Sequence, residues 1–183
     1  MDFEIVTLLV SPLHRYDGRP SDGVKPHDGV ELVESVRVRA HKGLVGDRYF
    51  GTTFTFATVT LIAEESISWL EGELGTGPFD PALSRRNLVT RGVDVDALAR
   101  TTFTIDGGHG PVRFRSLTPA NPCAWMNEAF APGAHQALRG RGGIRCEPLD
   151  DGVQSVGPAT ISEISPIPPE ELTRRVRSAP TAP

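Results

Sequence analysis

Cysteine is scarce. Two in 183 residues are too few for a disulfide scaffold, so the sequence predicts a reducing, cytoplasmic compartment. Positive charge is not in excess either. With a formal net charge of −4, nothing draws the chain to nucleic acid or to an anionic membrane by bulk electrostatics. No apolar run is long enough to span a bilayer, and no basic-plus-apolar leader opens the sequence. Internal repeats and low-complexity blocks are absent. What these absences leave is a cytoplasmic chain whose partners are small molecules or other proteins.

Turn chemistry is what the sequence has in quantity. Its 19 glycines and 16 prolines are spread throughout, which suits many short strands joined by tight turns better than a helix bundle. The length predicts one domain with a sizeable core, expected over residues 1–165. A proline-rich tail follows over 166–183, with a helical turn at 169–177.

Residues 3–10 are an apolar, β-branched run that predicts a buried strand. The turn-rich loop of residues 11–29 is long enough to be functional or mobile. Its His14 and His27 match no metal-ligand spacing and carry no assignment. Val36-Arg37-Val38-Arg39 alternates with period two, predicting a strand over 30–40 with one wet or ligand-facing side. It runs into His41-Lys-Gly-Leu-Val-Gly-Asp-Arg-Tyr-Phe-Gly51. There the glycines allow sharp turns and close backbone approach, and Lys42 and Arg48 could hold an anion. The spacing is neither a P-loop nor a dinucleotide fingerprint.

Residues 55–63 predict a strand and 64–74 a helix. In the helix Ile67, Leu70 and Leu74 fall at helical spacing, acids occupy the first turn, and Gly75 follows as a stop. Trp69 reads as packing. Residues 85–94 read as a short apolar strand flanked by arginines, with Asp94 or Asp96 as a cap for the turn through Leu98. Asp106-Gly-Gly-His-Gly110 signals a hairpin with His109 exposed at its tip. Asp150-Asp-Gly152 signals a second, followed by a final strand pair over 153–164.

Candidate chemistry gathers around Thr118-Pro-Ala-Asn-Pro-Cys-Ala-Trp-Met126. The prolines hold the approach extended and deliver Cys123 to the start of a helix. The helix end favours thiolate there, which makes Cys123 a reactive candidate, with an inert buried thiol as the alternative. Arg113 and Arg115 share one face of the strand that leads to it. Arg139, Arg141 and Arg145 lie among glycines just beyond, as an oxyanion site or as a flexible basic loop. Cys146 sits mid-strand and reads as structural, with a relay or disulfide to Cys123 as the alternative.

Four segments in order, Gly43-Leu-Val-Gly-Asp-Arg48, Val59-Thr-Leu-Ile-Ala-Glu-Glu65, Arg86-Asn-Leu-Val-Thr-Arg-Gly-Val-Asp94 and Pro122-Cys123, resemble the motifs of the MOSC family. This is the C-terminal domain of molybdenum cofactor sulfurase, which also occurs as stand-alone proteins. The similarity spans about residues 4–164. Val156-Gly-Pro158 departs from the Gly-Asp found near the end of the family pattern. The resemblance implies a mainly β fold: a closed or nearly closed antiparallel β-barrel, similar to the pyruvate-kinase barrel domain, with a few peripheral helices. It also implies the molybdenum cofactor (molybdopterin) as ligand. Cys123 would bind molybdenum, a soft-ligand match. Lys42, Arg48, Arg86, Arg91, Arg113, Arg139, Arg141 and Arg145 would be donors to the pterin phosphate, and Asn87 would bond the pterin or brace its loop. The implied activity is reduction of small N-hydroxylated substrates with electrons from a partner reductase. The alternative is a carrier that takes sulfur from a donor protein as a Cys123 persulfide, or holds the cofactor, without turnover. No desulfurase, large N-terminal barrel or ferredoxin domain is expected within this chain, and hence no pyridoxal phosphate.

Overall fold

The computed structural model of the protein describes residues 1–176; the part of the expected tail beyond Val176, including Arg177, lies outside the described residues. Ten strands carry the fold. They are β1 (Asp2–Leu8), β2 (Ser35–Arg39), β3 (Gly43–Leu44), β4 (Val59–Ala63), β5 (Leu88–Arg91), β6 (Thr101–Asp106), β7 (Pro111–Pro119), β8 (Ile144–Pro148), β9 (Gly152–Ser155) and β10 (Gly157–Pro166). Four α-helices accompany them: α1 (Glu64–Leu74), α2 (Trp125–Ala129), α3 (Ala134–Ala137) and α4 (Pro169–Val176). No helix among the described residues is long and apolar enough to cross a membrane.

Seven strands close into a barrel in the order β1-β10-β6-β7-β8-β4-β5, and β3-β2-β9 form a separate sheet. The barrel is antiparallel at every seam but one. β4 and β5 run parallel, with Leu61 opposite Leu88 and Ala63 opposite Thr90. A parallel neighbour needs a crossover connection, and α1 supplies it. Glu64 and Glu65 of its first turn tie the crossover down: Glu64 accepts from Arg91 Nε at 2.6 Å, and Glu65 from the Gly92 N–H at 2.7 Å. Gly75, at φ +62, caps the helix with its N–H on the Glu71 carbonyl.

Alternation along the strands fills the barrel interior. Ile5, Val59, Leu61, Leu88, Phe103, Ile105, Val112, Phe114, Ile144, Cys146 and Ile161 form one buried cluster. A second cluster lies outside the barrel, where Leu70, Trp125, Met126, Ala134 and Leu138 join α1, α2 and α3, with Tyr16 and Phe130 packed against them.

Three sequence expectations change. Residues 55–57 form a 3-10 turn rather than strand, closed by Thr58 Oγ1 donating to the Thr55 carbonyl at 3.0 Å. Of residues 30–40, only β2 joins a ladder as strand. Gly152 does not close a hairpin, nor do β9 and β10 pair with each other. β9 pairs with β2 in the small sheet, whereas β10 pairs with β1 and β6 in the barrel. The aspartates of this turn are committed to ion pairs that fix the crossing, Asp150 with Arg113 and Asp151 with Arg39. The hairpin from β6 to β7 forms as expected, with Asp106 opposite Pro111 and His109 exposed.

Candidate functional site

Strand alternation builds the floor of the site. Because Ile144 and Cys146 enter the barrel core, the intervening Arg145 stands on the outer face of β8, next to Thr60 of β4. Three excursions of chain rise around this face and enclose a cleft of ≈ 500 Å³. The strap after β1 brings His14, Arg15 and Tyr16; residues 48–57 bring Arg48, Tyr49, Thr52, Phe54 and Phe56; Ser84, Arg85 and Arg86 precede β5. Asn121, Cys123 and Met126 close the remaining side.

A clamp of buried polar groups holds the floor. Asn87 donates through Nδ2 to the Leu9 carbonyl and to Asp47 Oδ2, each at 3.0 Å. Its Oδ1 accepts from the Thr60 N–H at 3.0 Å and from Thr60 Oγ1 at 2.9 Å. Asp47 also accepts from the Ser11 and Tyr49 N–H groups. Asn87 is therefore a brace that joins β1, β4 and the 47–49 turn, and it does not line the cleft.

Arginines line the cleft and carboxylates do not: Arg15, Arg48, Arg85, Arg86 and Arg145 are present with no Asp or Glu. Counter-charge stands behind the wall on one side only. Glu31 accepts from Arg85 at 2.7 and 2.8 Å and from Arg15 at 3.1 Å. Burial would raise the Glu31 carboxyl, but the bonds from Arg85, Ser11 and Arg15 outweigh it and hold the pKa at about 2. Asp47 lies 3.5 Å from Arg48, whose guanidinium also covers the Tyr49 ring at 4.8 Å. On the other side, among the described residues Arg86 reaches only the carbonyls of Gly142 at 3.0 Å and Ala120 at 3.1 Å. Burial and then the neighbouring Arg145 charge lower its pKa to about 10, which still leaves it protonated at neutral pH. Arg145 has no ion pair among the described residues. Two donors on residues that line the cleft, Arg48 Nε and Thr52 Oγ1, are buried without a hydrogen-bond partner among the described residues. Buried donors of this kind are rare unless something else satisfies them.

Cys123 is exposed in the cleft, two residues ahead of α2. That helix has five residues, so the helix-end field expected from the sequence is short. The cations of the cleft supply the local positive potential instead. Tyr16 stacks on Trp125, with ring centroids 5.2 Å apart and planes at 7°, and its hydroxyl donates to the Leu83 carbonyl at 2.7 Å. Cys146 is a different kind of thiol. It is buried in the barrel and burial pushes its pKa up, so it stays protonated. Both cysteines are free.

Of the residues nominated from sequence, the cleft brings together Cys123, Arg48, Arg86 and Arg145. The others lie elsewhere. Lys42 is exposed on the turn between β2 and β3. Arg91 bridges Glu4 and Glu64, and Arg113 binds Asp150. Arg139 is exposed outside the cleft, and Arg141 lies over the Trp69 ring at 4.5 Å. The glycines beside them serve close packing: a Cβ on Gly143, at φ +81, would fall 1.9 Å from the Leu61 carbonyl oxygen.

Sequence reasoning missed Arg15, Tyr16, Tyr49, Thr52 and Arg85, and left His14 unassigned. The length of the 11–29 loop is the one signal for the strap residues. Arg85, at φ +56, carries no local signal, because its partner Glu31 is distant in sequence.

Among the described residues no three His, Cys, Asp or Glu side chains come together as a metal site. A metal at Cys123 would need a ligand set of its own. The sequence matches the model of the family described as MOSC domain over residues 40–157. No curated protein matches. Among solved structures, the YuaD protein from Bacillus subtilis aligns with a TM-score of 0.65 at 15% identity, covering 88% of this chain and 94% of that one. YiiM from Geobacillus stearothermophilus aligns at 0.60 and 17% identity, over 88% of this chain and 75% of that one. YiiM from Escherichia coli aligns at 0.58 and 16%, over 100% and 80%. At these identities the structural likeness speaks for the fold.

Proposed function

This chain belongs to the MOSC domain family, and on that premise we propose that it holds the molybdenum cofactor in the cleft and reduces small N-hydroxylated compounds. The observation that carries the reading is the pairing of an exposed thiol with arginines that have no carboxylate partner: Cys123 beside Arg86 and Arg145. Cys123 would be the protein's ligand to molybdenum, since a thiolate suits a soft, dithiolene-bound metal. Arg86 and Arg145 would take the terminal phosphate, and the orphaned Arg48 Nε and Thr52 Oγ1 would bond the pterin. The cofactor, when bound, supplies a two-electron redox centre. The chain's own part is to fix the anion, to stack aromatic walls against a planar ligand, and to limit water through the strap. Electrons would come from a partner reductase.

A second reading has one observation of its own. Cys123 is exposed rather than sealed, so another protein could reach it, as a carrier of persulfide sulfur or of the cofactor requires. Elemental and pterin assay of protein purified anaerobically from a cofactor-replete host, with Cys123→Ser beside it, tests the first reading. Near-stoichiometric molybdenum that is lost in the variant, with turnover of an amidoxime, is the expected result. Transferable sulfane sulfur on Cys123 without molybdenum would replace that reading with the carrier.

A further inference from the structure

Reduction of an N–O bond consumes protons as well as electrons, and the cleft is poor in groups that can release one. Its guanidiniums keep theirs at neutral pH. The Tyr16 proton is engaged by the Leu83 carbonyl, and burial raises that phenol's pKa further. Cys123 is committed to the metal under the reading above. Of the five histidines in the chain, His14 alone lines the cleft.

The strap places His14 firmly. Just before it, Ser11 is buried, donates its N–H to Asp47 Oδ2 at 3.3 Å and accepts the Arg48 N–H on its carbonyl at 2.7 Å. Ser11 Oγ accepts from the Leu13 N–H at 3.3 Å and closes the turn. Just after it, Arg15 is held by Glu31 and Tyr16 by Trp125. The imidazole stands edge-on to the Tyr49 ring, with centroids 5.9 Å apart at 83°, and makes no side-chain hydrogen bond to another described residue. An imidazole fixed at its base, with one nitrogen bonded to its own backbone, keeps the other nitrogen for a ligand.

We propose that His14 is the acid of the reaction, giving a proton to the oxygen that leaves as the N–O bond breaks. The inference rests on the reductase reading. In the balanced step the N–OH group takes up two electrons and two protons, and the products are N–H and one water. The external reductant supplies both electrons, the imidazolium protonates the departing hydroxyl to water, and the nitrogen takes its proton from solvent. Neutral His14 is then recharged from solvent.

The charged groups acting on the ring are Arg48, Asp17 and Lys25, with Tyr49 in ring contact. Burial and Arg48 hold its pKa below 6.5. Because the acid must be charged, turnover falls as pH rises through the ring's lowered pKa.

The test uses cofactor-loaded protein, benzamidoxime as substrate and dithionite-reduced methyl viologen as electron source. His14→Gln and His14→Asn are compared with wild type for molybdenum content, for KM and kcat across pH, and for rescue by added imidazole. The expected result is wild-type molybdenum and KM, kcat lower by about 100-fold or more, loss of the descending limb, and partial rescue by imidazole. A wild-type kcat and limb in either variant would overturn the assignment while leaving the reductase reading intact. Loss of molybdenum in both variants would also overturn it, making His14 a cofactor holder. A wild type without molybdenum would remove the reductase reading and this one together.

Discussion

Arg86 and Arg113 are the same side chain in two settings, and they predict different consequences. Arg113 is exposed and matched by Asp150, a surface pair that solvent screens to little net effect; Arg86 lines the cleft with only carbonyl partners among the described residues. A charge-assisted hydrogen bond to a bound anion is worth roughly 1.5–3 kcal/mol. Arg86→Gln and Arg145→Gln should therefore each weaken cofactor retention by about tenfold or more. Arg113→Gln should leave it unchanged, as equilibrium dialysis against a chelating competitor would show. The two thiols separate in the same way. Iodoacetamide on the native protein lacking cofactor should modify Cys123 and spare Cys146, and both should react in denaturant. Modification of native Cys146 would contradict its burial.

Elements were legible in proportion to how local their signals are. α1 could be read from its periodicity, its acidic first turn and Gly75, because each acts within a few residues. The β6–β7 hairpin was readable for the same reason. β9 was not: alternation marks a strand but does not name its partner, and β9 leaves the barrel for β2. The cleft was legible at Cys123, where Pro122 and the family motif coincide, and at Arg48, Arg86 and Arg145. It was opaque at the strap, because Arg85 meets Glu31 and Tyr16 meets Trp125 across long stretches of chain. Asn87 sits at the junction of these elements. Asn87→Ala would leave the Thr60 N–H and the Leu9 carbonyl without the side-chain partner that meets them now, at a cost of roughly 3 kcal/mol. Urea unfolding should show a lower midpoint at an unchanged m-value, and an unshifted midpoint would contradict the clamp.

At the scale of the whole molecule, a formal net charge of −4 conceals a cationic cleft. Composition argued against nucleic acid by bulk charge but said nothing of local charge, and no carboxylate lines the cleft. Two of those acids set the pH range of the fold. Burial opposes ionisation of Glu31 and Glu147, yet bonds from Arg85, Ser11 and Arg15 hold the first at about 2, and bonds from Arg115, His41 and Thr55 the second. Carboxyls lowered from 4.5 contribute their full stability above that value and lose it as pH falls toward 2. The protein should lose stability through that window. Glu31→Gln should be less stable at neutral pH and show a shallower acid decline in denaturant titrations; an identical decline would contradict the clasp between strap and Arg85.

We propose that Cys123 carries the metal while the arginines beside it carry the anionic end of the cofactor. Molybdenum X-ray absorption on the anaerobically purified protein tests it most directly, by counting sulfur neighbours of the metal. One more sulfur than the dithiolene supplies, lost when Cys123→Ser is loaded with cofactor in excess, is the predicted result. The same sulfur count in both proteins would place the metal away from Cys123 and contradict the account.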